Sequence, residues 1–104
     1  MDAAAAAGVL LPPDGYLQAV RQICRDHGIL FVADEVICGY GRVGDWFACR
    51  RLGLDPDAVT FAKGITSGYV PLGGVIVGRT VQEPFWQTGA AGVWRHGYTY
   101  SGHA

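Results

Sequence analysis

Two short apolar runs, each closed by a charge and the two charges of opposite sign, constrain this chain more than anything else in it. Ile29 to Ala33 leads directly into Asp34-Glu35-Val36, and Ala58 to Ala62 leads into Lys63-Gly64-Ile65-Thr66-Ser67-Gly68-Tyr69. Apolar runs of strand length without polar alternation predict strands covered on both faces, the pattern of a parallel sheet. A charge at the end of such a strand is costly unless it is paired or hydrogen-bonded. Asp34 and Lys63 are therefore expected at one site, beyond the carboxyl ends of the strands, where open α/β sheets form their ligand crevice.

The segments around these runs complete the α/β pattern. Pro12-Pro13-Asp14 predicts a helix start, with Asp14 as the cap. Tyr16, Leu17, Val20, Ile23 and Cys24 recur at helical spacing on an apolar face, with Gln18, Arg21, Gln22, Arg25 and Asp26 largely opposite, and Gly28 ends the pattern. Gly39 to Gly44 reads as an irregular loop anchored by Trp46, Phe47 and Ala48, and Asp55-Pro56-Asp57 as a turn. Gly73 to Val77 is a third strand after a glycine-rich reversal, and Thr80 to Gln87 a short helix whose interior Pro84 opposes. The expected class is α/β, with a mixed, mostly parallel sheet and flanking helices.

Composition narrows the function. A net charge of -1 offers no basic surface for a phosphate backbone, so nucleic acid is not an expected partner. No apolar run approaches a bilayer span and the start lacks a signal-peptide pattern, which predicts a soluble, cytoplasmic protein. Cys24, Cys38 and Cys49 lack paired short spacings and read as buried thiols; with His27, His96 and His103 also off ligand spacing, no metal site is expected. Half of the 104 residues are apolar, 16% are charged and 16 are glycine, a mixture suited to the buried middle of a larger protein.

A carboxylate and an amine that reach one ligand from two strand ends suit an aldehyde-bearing nitrogen heterocycle. An amine that bonds an aldehyde must lose its proton near neutral pH, which partial burial promotes, so Lys63 is expected to be partly buried. Asp34 would keep the ring nitrogen protonated. Glu35 faces the other side of an extended chain from Asp34, makes a poor chelating partner for it, and is assigned a structural hydrogen-bonding role. Val36 falls on the side of Asp34 if the chain stays extended. Thr99, in Gly97-Tyr98-Thr99-Tyr100-Ser101-Gly102, lies in a glycine-flanked turn able to cradle a phosphate. Arg42 is assigned a structural ion pair in preference to anion binding.

Three stretches carry a resemblance: Leu30-Phe31-Val32-Ala33-Asp34-Glu35-Val36-Ile37-Cys38-Gly39-Tyr40-Gly41-Arg42-Val43-Gly44, Phe61-Ala62-Lys63-Gly64-Ile65-Thr66-Ser67-Gly68-Tyr69-Val70-Pro71-Leu72-Gly73-Gly74, and His96-Gly97-Tyr98-Thr99-Tyr100-Ser101-Gly102-His103. In order and spacing they resemble the class III (omega) aminotransferases, which are pyridoxal 5'-phosphate (PLP) enzymes of fold type I. The resemblance implies that residues 11–104 are part of the PLP-binding large domain, after an atypical alanine-rich start over residues 1–10. It implies that Lys63 is the catalytic Schiff-base lysine and proton carrier, Asp34 the partner of the pyridine nitrogen, and Val36 a contact to one ring face. Thr99 would reach the cofactor phosphate of the neighbouring subunit in a homodimer, and Tyr98 would line the substrate pocket.

By the same resemblance the substrates are an amine or omega-amino acid and a keto acid such as pyruvate. Ile37 and Cys38 stand where several omega-amino-acid branches carry glutamine and threonine, so the chain looks more like the amine or β-alanine to pyruvate branch. Because Lys63 and Asp34 serve any carbanion chemistry on this cofactor, a racemase, aminomutase or decarboxylase is the rival enzyme, and a non-catalytic remnant the rival from another class. Family members are longer, so the chain is expected to be an internal piece of the large domain, poorly soluble and inactive alone.

Overall fold

The computed structural model describes residues 10–89, 93 and 95–102. Residues 1–9 of the alanine-rich start, and His103, lie outside the described residues. The element order is α1 (Tyr16–Asp26), β1 (Val32–Asp34), α2 (Ala48–Arg51), β2 (Ala58–Phe61), a 3-10 turn (Lys63–Ile65), β3 (Gly74–Val77) and α3 (Arg79–Gln87). The sheet order is β1-β2-β3, with β1 parallel and β3 antiparallel to β2. The α/β class and the mixed sheet are as the sequence predicts.

Helix α1 forms where expected, but two details of its reading are corrected. Gly15, in the left-handed region at φ 78°, occupies the cap position, and no side chain caps the helix. Its carbonyl accepts from the Ala19 amide and the Tyr16 amide bonds the Pro13 carbonyl, so Asp14 is not the cap. The buried face is also rotated: Leu17 and Arg21 are buried, whereas Tyr16 and Ile23 remain 45% and 55% exposed. Arg21 turns inward because an acid waits for it. Its Nη1 lies 3.0 Å from Asp57 Oδ2, and its guanidinium sits over the Phe31 ring at 5.7 Å.

Asp57 is more than a turn residue. Its Oδ2 also accepts the Phe31 amide at 2.8 Å, its own amide donates to the Phe31 carbonyl at 2.8 Å, and its carbonyl accepts the Gly78 amide at 2.7 Å. One buried residue thus joins α1, the approach to β1, the start of β2 and the end of β3. The strand expected from Ile29 begins only at Val32, because the Ile29 amide still closes the end of α1 on the Cys24 carbonyl and Phe31 is engaged by Asp57. Coverage on both faces is corrected as well: Ala33 is buried, but Val32 is 44% exposed.

The Phe31 amide, with help from the Arg21 charge and against the cost of burial, holds the Asp57 carboxyl below its ordinary value of 3.8. A depressed carboxylate stabilises the fold at every pH above its unfolded value, and that contribution disappears as pH falls through the folded value. Acid sensitivity from this group therefore lies below 3.8. Asp57→Asn leaves the buried Arg21 guanidinium uncompensated and should cost about 3–5 kcal/mol in urea unfolding at neutral pH. Adding Arg21→Met should recover part of that loss, since a neutral pair no longer strands a charge. A single Asp57→Asn variant as stable as the parent would show that the pair does not hold these elements together.

Among the described residues the buried apolar ones are few: Leu17 of α1, Phe31 ahead of β1, Ala33 of β1, Cys38 after it, Cys49 of α2 and Ala58 of β2. On β3, Val75, Ile76 and Val77 are 57%, 48% and 43% exposed. The connection between β2 and β3 is a broad loop over residues 62–73 containing the 3-10 turn, in place of the tight reversal expected. Helix α3 runs through Pro84. It is short and exposed, so the one carbonyl that Pro84 leaves unbonded can face water.

Candidate functional site

The parallel pairing sets Val32 opposite Ala58 and Asp34 opposite Thr60. Asp34 closes β1, and Lys63 follows two residues after β2 ends at Phe61, so both lie at the carboxyl ends of neighbouring parallel strands. The two strand ends are neighbours in the sheet, but Asp34 does not line the groove that Lys63 lines. The charge of Asp34 is satisfied locally, by the Thr60 hydroxyl at 3.0 Å and the Val36 amide at 3.1 Å, both on Oδ1. Among the described residues, no hydrogen bond is seen to Oδ2.

The Val36 amide turns back onto Asp34 because the chain leaves the extended conformation here. The Gly39 amide bonds the Glu35 carbonyl at 2.8 Å, which makes residues 35–39 a turn. The premise that extended chain persists to Val36 is corrected on this ground. Glu35 has the structural role assigned to it: it is 2% exposed, and its carboxylate accepts the Ala48 and Cys49 amides at 3.0 and 2.6 Å. It thereby satisfies the start of α2, an element too short for periodicity to disclose. Burial pushes the Cys49 thiol up to about 11, with the hydrogen bond and charge of Glu35 adding to the effect, so this thiol stays protonated and inert at neutral pH.

Lys63 lines an open groove of about 540 Å³ with Tyr40, Arg42, Gly64, Ser67 and Gly68. It is exposed, contrary to the partial burial expected, and the groove's lining comes from the loops over residues 39–44 and 62–73. No ion pair of Arg42 is found among the described residues, and its structural pairing is not what the geometry displays; it stands in the groove with Lys63.

Backbone strain singles out the same groove. Among the described residues, the non-glycine residues with positive φ are Tyr40 (58°), Lys63 (47°) and Ser67 (53°), and all three line it. Each left-handed residue costs roughly 1–2 kcal/mol and persists only where its surroundings enforce it. For Tyr40 they do: its amide bonds the Trp46 carbonyl at 2.7 Å, and its ring meets those of Trp46, Phe47 and Phe61 edge-on. Gly64 passes so close to this residue that a Cβ would lie 3.1 Å from Tyr40 Cβ and 3.2 Å from the Gly39 carbonyl oxygen, which ties the lysine loop to the loop after β1. Sequence reading missed Tyr40 and Thr60. A tyrosine between two glycines was the available signal for the first; the second shows only through register.

Tyr98 and Thr99 do not line this groove; they stand in an exposed turn where the Tyr98 amide bonds Ser101 Oγ and the Ser101 amide returns to the Tyr98 carbonyl, both at 2.9 Å. Tyr98 is 79% exposed and meets the His96 ring edge-on. Among the described residues, no group of three potential ligands could hold a metal ion, and no helix is long and apolar enough to cross a membrane.

Comparison with known proteins gives one family. A profile described as aminotransferase class-III matches residues 3–104. The putrescine–pyruvate aminotransferase of Pseudomonas aeruginosa is 50% identical over 98 residues, which are 94% of this chain and 21% of that protein. An (S)-enantioselective omega-transaminase from Thermomicrobium roseum superposes with a TM-score of 0.83 at 52% identity, over 91% of this chain and 21% of that one. The taurine:2-oxoglutarate aminotransferase of Bifidobacterium kashiwanohense, solved with PLP and glutamate, gives 0.82 at 47% identity, over 91% of this chain and 20% of that one. The chain spans about a fifth of the length of each of these relatives.

Proposed function

Since the chain belongs to the class III aminotransferases, a PLP-dependent family, we propose that it supplies the lysine and the ring-nitrogen partner of an enzyme that moves an amino group from an amine or omega-amino acid to a keto acid. The observation that carries this reading is the placement of Asp34 and Lys63 at the ends of adjacent parallel strands, with strained backbone gathered around the lysine. The donor set fits the cofactor: a carboxylate held through one oxygen, an amine facing an open groove, and no second lysine anywhere in the chain.

When bound, PLP withdraws electrons from the substrate carbon that gives up its proton. Lys63 would hold the group through Nζ and, once displaced by the substrate amine, carry that proton on the same nitrogen. Asp34 would accept a hydrogen bond from the ring nitrogen and keep it charged. Val36, at the turn after β1, would pack against the ring. Thr99 would hold the phosphate of the neighbouring subunit in a homodimer, and Tyr98 would line the substrate pocket. Pyruvate as the acceptor is favoured by Ile37 and Cys38 and by the name of the Pseudomonas relative.

The test is a graft in which this chain replaces the matching segment of the Pseudomonas aeruginosa enzyme. It should take up PLP and transaminate; a graft that folds but takes up none would defeat the reading. Within it, Thr99→Ala should weaken cofactor affinity about ten- to a hundredfold, the value of one hydrogen bond to a charged group, while slowing the chemistry less. Mixed dimers with Lys63→Ala protomers test the subunit assignment. If Thr99 acts across the interface, the heterodimer keeps one intact site, built from Lys63 of one protomer and Thr99 of the other; a heterodimer with no intact site would place Thr99 within its own chain.

A further inference from the structure

Resting on the functional reading above, we propose that Thr60 is a positioning residue for Asp34, locking the rotation of the carboxylate that would face the cofactor nitrogen. A carboxylate turns easily about its last side-chain torsion, whose energy well is broad and two-fold. The Val36 amide comes from the same turn as Asp34 and moves with it, so alone it cannot refer the carboxylate to the rest of the sheet. Thr60 can, because it stands on the neighbouring strand: its Oγ1 donates to Oδ1 at 3.0 Å from the position directly opposite Asp34 in the ladder. Two donors on Oδ1 leave Oδ2 as the oxygen without a donor among the described residues.

Thr60 is suited to this by its branching. A β-branched side chain is stiff at χ1 and favoured in a strand, so the hydroxyl is held in place before any ligand arrives. Its placement depends on register, since a slip of one residue would carry the hydroxyl to the opposite face of the sheet. The register is pinned at the other end of the same strands, where Asp57 exchanges hydrogen bonds with Phe31 and binds Gly78 through its carbonyl. Asp57 fixes the ladder, the ladder places Thr60, and Thr60 holds Asp34.

The experiment compares Thr60→Val and Thr60→Ser in the grafted holoenzyme. Valine keeps the shape and strand preference and removes only the hydroxyl; serine keeps the hydroxyl. We expect Thr60→Val to lower kcat about tenfold with the KM for the amine little changed, to shift the pH midpoint of the bound cofactor's visible band, and to leave Tm unchanged. Thr60→Ser should restore the band midpoint and most of kcat. A valine variant with parental kcat and band titration overturns the proposal, as does a serine variant that behaves like valine. Loss of folded protein in Thr60→Val alone also overturns it, by making the hydroxyl a structural element. The functional reading fails separately: if Lys63→Ala in the same graft keeps the visible band, that reading is wrong, whereas a lost band with an unaffected Thr60→Val rejects only the role of Thr60.

Discussion

Replacing Lys63 with alanine in the grafted enzyme should remove the visible absorbance of lysine-bound PLP and reduce transamination below detection. Proton transfer by a positioned side chain alone contributes about 10²–10⁴-fold, and the covalent hold on the cofactor is lost as well. Nothing else in the chain can substitute, because Lys63 is its sole lysine and the other basic residue of the groove, Arg42, carries a guanidinium in place of an amine. Borohydride reduction of the parent graft, followed by peptide mapping, gives a direct check. The pyridoxyl label should fall on Lys63, and a label on any lysine outside this segment would remove Lys63 from its role. Strain makes the same point structurally: at φ 47° Lys63 sits where most residues avoid, and alanine there inherits the backbone cost with no amine.

Asp34→Asn should keep the fold and part of the cofactor and lose most of the turnover. An amide oxygen can still accept from Thr60 Oγ1 and the Val36 amide, so the local turn survives. What disappears is the negative charge that, in the proposed function, would keep the ring nitrogen protonated. A charge-assisted hydrogen bond is worth about 1.5–3 kcal/mol, or roughly ten- to a hundredfold, and the weakened electron withdrawal lowers kcat further. Steady-state kinetics with unfolding as a control separates these effects. Near-parental turnover in a folded, cofactor-loaded Asp34→Asn enzyme would remove Asp34 from the site.

The amino-acid order alone determined the elements that rest on short-range physics. An unbroken apolar run closed by a charge marks a strand and its carboxyl end, so the ends of β1 and β2, with Asp34 and Lys63 at them, were legible. The structural role of Glu35 followed from the alternation of side chains, and the family from three motifs in order. Helical spacing located α1 but misplaced Arg21, because a charged residue opposite an apolar stripe is assigned to water by default.

Only the tertiary structure decided the rest. Arg21 is buried because Asp57, 36 positions along the chain, meets it, and such a partner leaves no mark on local periodicity. Thr60 reaches Asp34 through the register of two strands that the sequence keeps 26 positions apart. Tyr40, Lys63 and Ser67, all left-handed, line one groove, and packed aromatic rings with the close approach of Gly64 hold Tyr40 there. Pattern and propensity act over a few residues, whereas register, buried pairing and backbone strain are set by contacts between segments distant in the chain, and those exist only once it has folded.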